Sequence, residues 1–82
     1  MGDRIQTKIS NLLELYIKAY YAPISQKKPL LEDANITLEI LRHYFRLAFD
    51  IGLYNSNRYH DFAKKLHEIG KMTGGWIKSI DT

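Results

Sequence analysis

Eighty-two residues make at most one small domain, and a chain this short buries only about 60% of its unfolded surface, so its stability needs help. The absence of cysteine removes disulfides, thiolate metal sites and thiol catalysis, and leaves self-association as the open route. Twelve Lys and Arg against nine Asp and Glu give a net charge of +3, a weak sign of nucleic-acid binding whose weight depends on where the cations fall.

No apolar run approaches the roughly 20 residues of a membrane span, and no apolar stretch of a signal peptide follows Met1-Gly2-Asp3-Arg4. A cytoplasmic, soluble protein without a membrane partner is expected. Gly2 fits a myristoylation site, but Gln6 stands where Ser or Thr is required.

The first predicted helix, about residues 3–22, puts Ile5, Ile9, Leu12, Leu13, Tyr16 and Tyr20 on one side and Thr7, Asn11, Glu14 and Lys18 on the other. A break follows over residues 22–29, with two prolines and no periodicity. Pro29 suits the first turn of the next helix, where its missing N–H is no loss.

The second predicted helix, about residues 29–51, is unusually apolar. Projected at about 100° per residue, its apolar side chains fill an arc of roughly 220°, against the ~100° stripe that a surface helix needs. Glu32, Asn35, Glu39, Arg42, His43, Arg46 and Asp50 form a narrow polar strip. Two neighbouring helices of the same chain cover much of that arc but hardly all, so a fourth helix or another subunit is implied. Gly52 then suits a left-handed helix stop, and Asn55 or Ser56 suits the next N-cap.

The third predicted helix, about residues 56–80, carries two opposite faces. Tyr59, Phe62, Leu66, Ile69, Thr73, Trp76 and Ile80 lie on one stripe, in steps of three and four. His60, Lys64, His67, Lys71 and Lys78 lie on the reverse, with no carboxylate among them. Gly70, Gly74 and Gly75 interrupt good helix formers at about 0.5–1 kcal/mol each. Either the helix ends there and Trp76-Ile77 fold back, or Gly70 and Gly74 admit the close approach of a neighbour or a phosphate. The stripe continuing through Trp76 to Ile80 favours an unbroken helix. With no sustained period-two alternation anywhere, the expectation is an all-α, antiparallel bundle with three helices from this chain, residues 1–82 as one domain, and an oligomer.

Leu31-Glu32-Asp33-Ala34-Asn35-Ile36-Thr37-Leu38-Glu39-Ile40-Leu41-Arg42, then Arg46-Leu47-Ala48, resemble the accessory variability determinant family. So does Leu66-His67-Glu68-Ile69-Gly70-Lys71-Met72-Thr73-Gly74-Gly75-Trp76-Ile77-Lys78-Ser79, whose E-I-G-K-M-x-G-G-W-x-K core is the most specific part. These are small four-helix-bundle proteins encoded beside the reverse transcriptase of diversity-generating retroelements. A wider relative group is the four-helix proteins of ribosomal-RNA intervening sequences. The resemblance implies a basic, ring-forming homopentamer that binds the reverse transcriptase and its RNA or cDNA and is not itself an enzyme. It also implies that the first of four helices is lacking before Gly2-Asp3-Arg4-Ile5-Gln6.

For nucleic acid, the best candidates are Lys64, Lys71 and Lys78, about 10.5 Å apart along a helix, with His60 and His67 beside them. A plain solvated lysine face is the alternative, and Asp61 and Glu68 weaken the field. Arg42 and Arg46 are second candidates, as a guanidinium pair for phosphate or a contact to another subunit. Their spacing to Glu39 and Asp50 equally suits intrahelical ion pairs. Arg4 and Lys8 are a fainter patch. Tyr44, Phe45, Leu66, Ile69, Gly70, Gly74, Trp76, Ile77 and Ile80 are expected to hold helices or subunits together. Tyr16, Tyr20, Tyr44 and Tyr59 sit on apolar stripes and read as core or interface, while Tyr21 and Tyr54 at helix ends stay open. His60 and His67 are two turns apart, unlike a chelating i, i+4 pair, so neither a metal nor a cofactor is expected. A self-assembling helical subunit without nucleic-acid binding is the alternative function.

Overall fold

The periodic segments fold into three helices in the computed structural model, which describes residues 2–81. They are α1 (Gly2–Tyr21), α2 (Ile24–Asp50) and α3 (Ser56–Asp81), with no strand among the described residues. The architecture is an all-α helical bundle. Its middle member is the apolar α2, which packs against α1 on one side and α3 on the other. Among the described residues, no Cα of α1 comes within 8 Å of one in α3. The radius of gyration is accordingly 13.8 Å, against about 12 Å for a compact chain of this length.

The first turn is shorter than the sequence implies, because Pro23 rather than Pro29 closes the break. Pro23 is the N-cap of α2, with φ −58° and ψ 154°, and Gln26 N–H bonds its carbonyl at 2.9 Å. Helix α2 therefore starts at Ile24, ahead of the expected Pro29, which lies in the second turn and loses one bond of the ladder. Lys27 compensates at this corner. Its Nζ donates to the carbonyls of Ala19 and Tyr20 at 2.8 and 2.9 Å, satisfying the negative end of α1.

The second turn follows the chemistry of its residues. Gly52 takes φ +85°, Leu53 N–H reaches Ala48 O at 2.8 Å and Gly52 N–H reaches Phe49 O at 3.0 Å, a Schellman stop. Asn55 Oδ1 then accepts from Arg58 N–H at 2.8 Å and caps α3. Helix α3 runs on without interruption through Gly70, Gly74 and Gly75.

The core is drawn mainly from α2, whose Leu31, Ala34, Leu38, Leu41, Phe45 and Ala48 are buried. Helix α1 adds Ile5, Leu12 and Ala19, and α3 adds Leu66. Phe45 stacks on Phe62 with centroids 4.6 Å apart, and Tyr54 packs on both rings. Only half of the α1 stripe is used: Ile9, Leu13 and Tyr20 stay exposed, as does Ile17 outside it. Tyr20 is thus outside this chain's own core, which leaves the interface half of the core-or-interface expectation, and it is paired edge-on with Tyr21 at the surface.

Between α1 and α3 lies an open apolar groove of about 590 Å³, floored by Leu41 and Phe45. Its α1 wall includes Ile9, Leu13 and Tyr16, and its α3 wall Ile69, Met72 and Trp76. The Tyr16 and Thr73 hydroxyls hydrogen-bond across it. At the corner where α2 starts and α3 ends, Lys28 Nζ meets Asp81 Oδ1 at 3.1 Å.

Candidate nucleic-acid interface

Antiparallel packing of α2 on α3 brings Arg42 of α2 to one seam with His67 and Lys71 of α3. On α2, Asn35 and Arg42 are two turns apart and face α3. On α3, His67, Gly70 and Lys71 face back. Together with Leu38 and Glu39 they line a depression of about 430 Å³. A second one of about 260 Å³ adjoins it, sharing Arg42 and His67 and reaching Tyr59 and Ala63.

Gly70 is what lets the seam close around a guanidinium. A Cβ built there would stand 3.1 Å from Arg42 Nη2, so Arg42 lies against the backbone of α3. Its Nη1 donates to Glu39 Oε1 at 2.8 Å, an i, i+3 pair with both side chains well exposed. Such pairs contribute a few tenths of a kcal/mol. Glu39 lines the same depression, so it fixes the orientation of Arg42 and offsets part of its charge there. Gly74 has nothing within 4 Å of its would-be Cβ, so the close approach expected of it does not occur within this chain.

Arg46, one turn beyond Arg42, is differently engaged. Its Nε meets Asp50 Oδ1 at 3.2 Å, and its Cζ lies 6.0 Å from the ring centroids of Phe49 and Tyr59. Those rings stack in parallel, 4.7 Å apart. The Tyr59 hydroxyl first, and then the Asp50 carboxylate, raise the Arg46 pKa above its ordinary value. Arg46 is thus a clamped cation beside the seam, while Arg42 is part of its lining.

The lysine row is exposed along its length. His60, Lys64, His67, Lys71 and Lys78 are all solvent-facing, and among the described residues the three lysines enter no ion pair. His67 and Lys71 are the two members that join Arg42 in the depression. Lys64 and Lys78 extend the same helix face. His60 Nδ1 donates to Ser56 O at 2.6 Å, so its other ring nitrogen is the one open to a ligand. Asn35, which the sequence places only in the polar strip of α2, and Ala63 also line the seam; the seven-residue step from Asn35 to Arg42 is the signal that the chain offers for the former.

Of the residues expected to hold helices or subunits, Phe45 and Leu66 are buried in this chain's own core. Tyr44, Ile69, Trp76, Ile77 and Ile80 are half-buried. Tyr44 lies beside Arg4 and Lys8 in a depression where α1 begins. No three His, Asp or Glu side chains gather as metal ligands among the described residues, and no described helix is long and apolar enough to cross a membrane.

No curated protein and no solved structure matches this chain. A family model described as bAvd-like matches residues 1–80. That span takes in α1, α2 and all of α3 but its last residue, with the Gly70 contact and the cationic seam. The protein belongs to the bAvd-like family.

Proposed function

We propose that the protein is a non-enzymatic accessory factor of a diversity-generating retroelement. In this reading it is a cytoplasmic, self-assembling basic scaffold that binds the reverse transcriptase and holds RNA or cDNA. Family membership suggests the retroelement role and the accessory, non-catalytic character. The nucleic-acid role rests chiefly on one observation: Arg42, His67 and Lys71 from two helices line a single depression, with Gly70 leaving room for the guanidinium. Arg supplies a planar fork for phosphate, and the lysine a mobile point charge. Lys64 and Lys78 lengthen the track on the same face, and Arg46 flanks it.

Affinity for a single-stranded RNA, measured by fluorescence anisotropy across a salt series, tests this. A phosphate binder loses affinity with a log–log slope of about −0.7 per contact on single strands. Arg42→Gln with Lys71→Gln should weaken binding and flatten that slope, with oligomer mass unchanged. If wild-type protein fails to bind RNA even at low salt, nucleic-acid binding is lost. A structural, self-assembling subunit is then what remains.

A further inference from the structure

The two depressions in the seam between α2 and α3 differ in chemistry. The larger, of about 430 Å³, is polar: Arg42 and Lys71 bring positive charge to it, with Asn35, Glu39 and His67 around them. The smaller, of about 260 Å³, has a floor of carbon made by the buried Phe45 and Leu66. Ala63 is exposed on its α3 side, and its single methyl leaves that floor uncovered. Tyr59, Ala63, His67 and Lys71 follow one another along α3 at steps of about 6 Å. Tyr59 thus closes one end of the smaller depression, and Arg42 and His67 stand at the other, where the two depressions join.

Tyr59 is a fixed wall. Phe49 stacks on it with centroids 4.7 Å apart and planes 6° from parallel, and its hydroxyl engages Arg46. Phe49 does not line the depression, so the depression meets a part of Tyr59 that Phe49 leaves uncovered.

We propose that the smaller depression receives one unpaired base of a single strand, between Tyr59 and Arg42, while the neighbouring phosphate lies in the larger depression against Arg42 and Lys71. This rests on the nucleic-acid reading above and specifies which part of the ligand each half of the seam takes. Size agrees. At about 260 Å³ the depression falls just below the ~300–1,000 Å³ of pockets for drug-sized ligands, which suits one ring system and no more. Chemistry agrees as well. A phosphate alone would leave Phe45 and Leu66 wet, whereas a base covers them and still meets cations at its edge. Arg42 serves both halves: its guanidinium plane suits a ring face, and Glu39 holds Nη1 while Nη2, beside Gly70, is left for the phosphate. A base stacked and paired within a duplex shows only its edges, so the contact selects bases that are free of a partner strand.

Removing the bases is the test. A thymidine oligomer and an abasic oligomer of equal length carry the same phosphates, and only the first has rings. In fluorescence anisotropy at low salt, wild type should bind the first about 10-fold more tightly, the usual effect of one stacked base. Ala63→Leu fills the depression from an exposed helix position and keeps every cation, so it should bring both oligomers to one affinity with the salt slope retained. Tyr59→Leu should act likewise; if circular dichroism shows it unfolded, Ala63→Leu decides alone. Thymidine monophosphate separates a strand from a free nucleotide. It should displace the oligomer only in large excess, and displacement at equal concentration would assign the site to a free nucleotide and overturn the single-strand proposal. Equal affinity of wild type for the two oligomers, or a preference that survives Ala63→Leu, overturns base insertion and leaves phosphate binding standing. If neither oligomer binds at low salt, both are lost.

Discussion

The Tyr16 hydroxyl donates to Thr73 Oγ1, joining α1 to α3 where their backbones stay apart. The direction follows from Thr73, whose own proton goes to Ile69 O at 2.9 Å. Thr73 is almost fully buried, and this half-buried bond sits in a groove lined mainly by apolar side chains.

Removing that bond should loosen the outer helices without touching the core. Tyr16→Phe is expected to lower unfolding free energy by about 1 kcal/mol, the usual net value of one such bond. Urea denaturation at fixed protein concentration reads it. Thr73→Val should cost a similar amount, and the double variant less than the sum. Strict additivity of the two would show that the hydroxyls do not interact.

The two glycines one turn apart in α3 should respond differently to alanine. At Gly74 the added methyl meets open space, so Gly74→Ala should stabilise by about 0.5–1 kcal/mol through helix propensity alone. At Gly70 the methyl meets the Arg42 guanidinium at 3.1 Å and displaces it. Gly70→Ala should therefore gain less stability and weaken RNA binding, whereas Gly74→Ala leaves affinity unchanged. Thermal melts and anisotropy titrations of both variants decide the point, and equal behaviour would refute the role given to Gly70.

The Lys28–Asp81 pair predicts a dependence on alkaline pH. Asp81 raises the Lys28 pKa above the ordinary lysine range, first by hydrogen bonding and then by its charge. A folded-state pKa raised above the unfolded one stabilises below the ordinary lysine value and is lost as pH rises through the raised value. Wild type should melt slightly above Asp81→Asn at pH 7, and the gap should close at strongly alkaline pH. A gap that persists or widens there would contradict the pairing. The effect is small because both side chains are about half exposed.

Much of this architecture was legible in the chain. The 3.6-residue stripes, the left-handed Gly52 and the Asn55 cap mark three helices, and the wide apolar arc of α2 marks it as the central one. The start of α2 was not legible. Pro23 and Pro29 are both compatible with a helix N-terminus, and the choice is made by Lys27 reaching back to the α1 carbonyls, a contact that local propensity does not encode. The cationic face of α3 could be read from spacing. Its junction with Arg42 could not, because that depends on the register of α3 against α2, which Gly70 and the stacked Phe45 and Phe62 fix only in three dimensions. Likewise, the spacing of Ile9 and Leu13 shows that they are apolar, but not that the wall opposite them stands open.

Because the backbone of each helix packs only against that of the one before or after it in sequence, most closures that the chain makes are between neighbouring helices, with the Tyr16–Thr73 bond as an exception. Such topologies search little and fold quickly. Under the self-assembling reading proposed above, the slow, concentration-dependent event is the meeting of separate molecules, and the dose at which the protein is synthesised sets when it becomes functional.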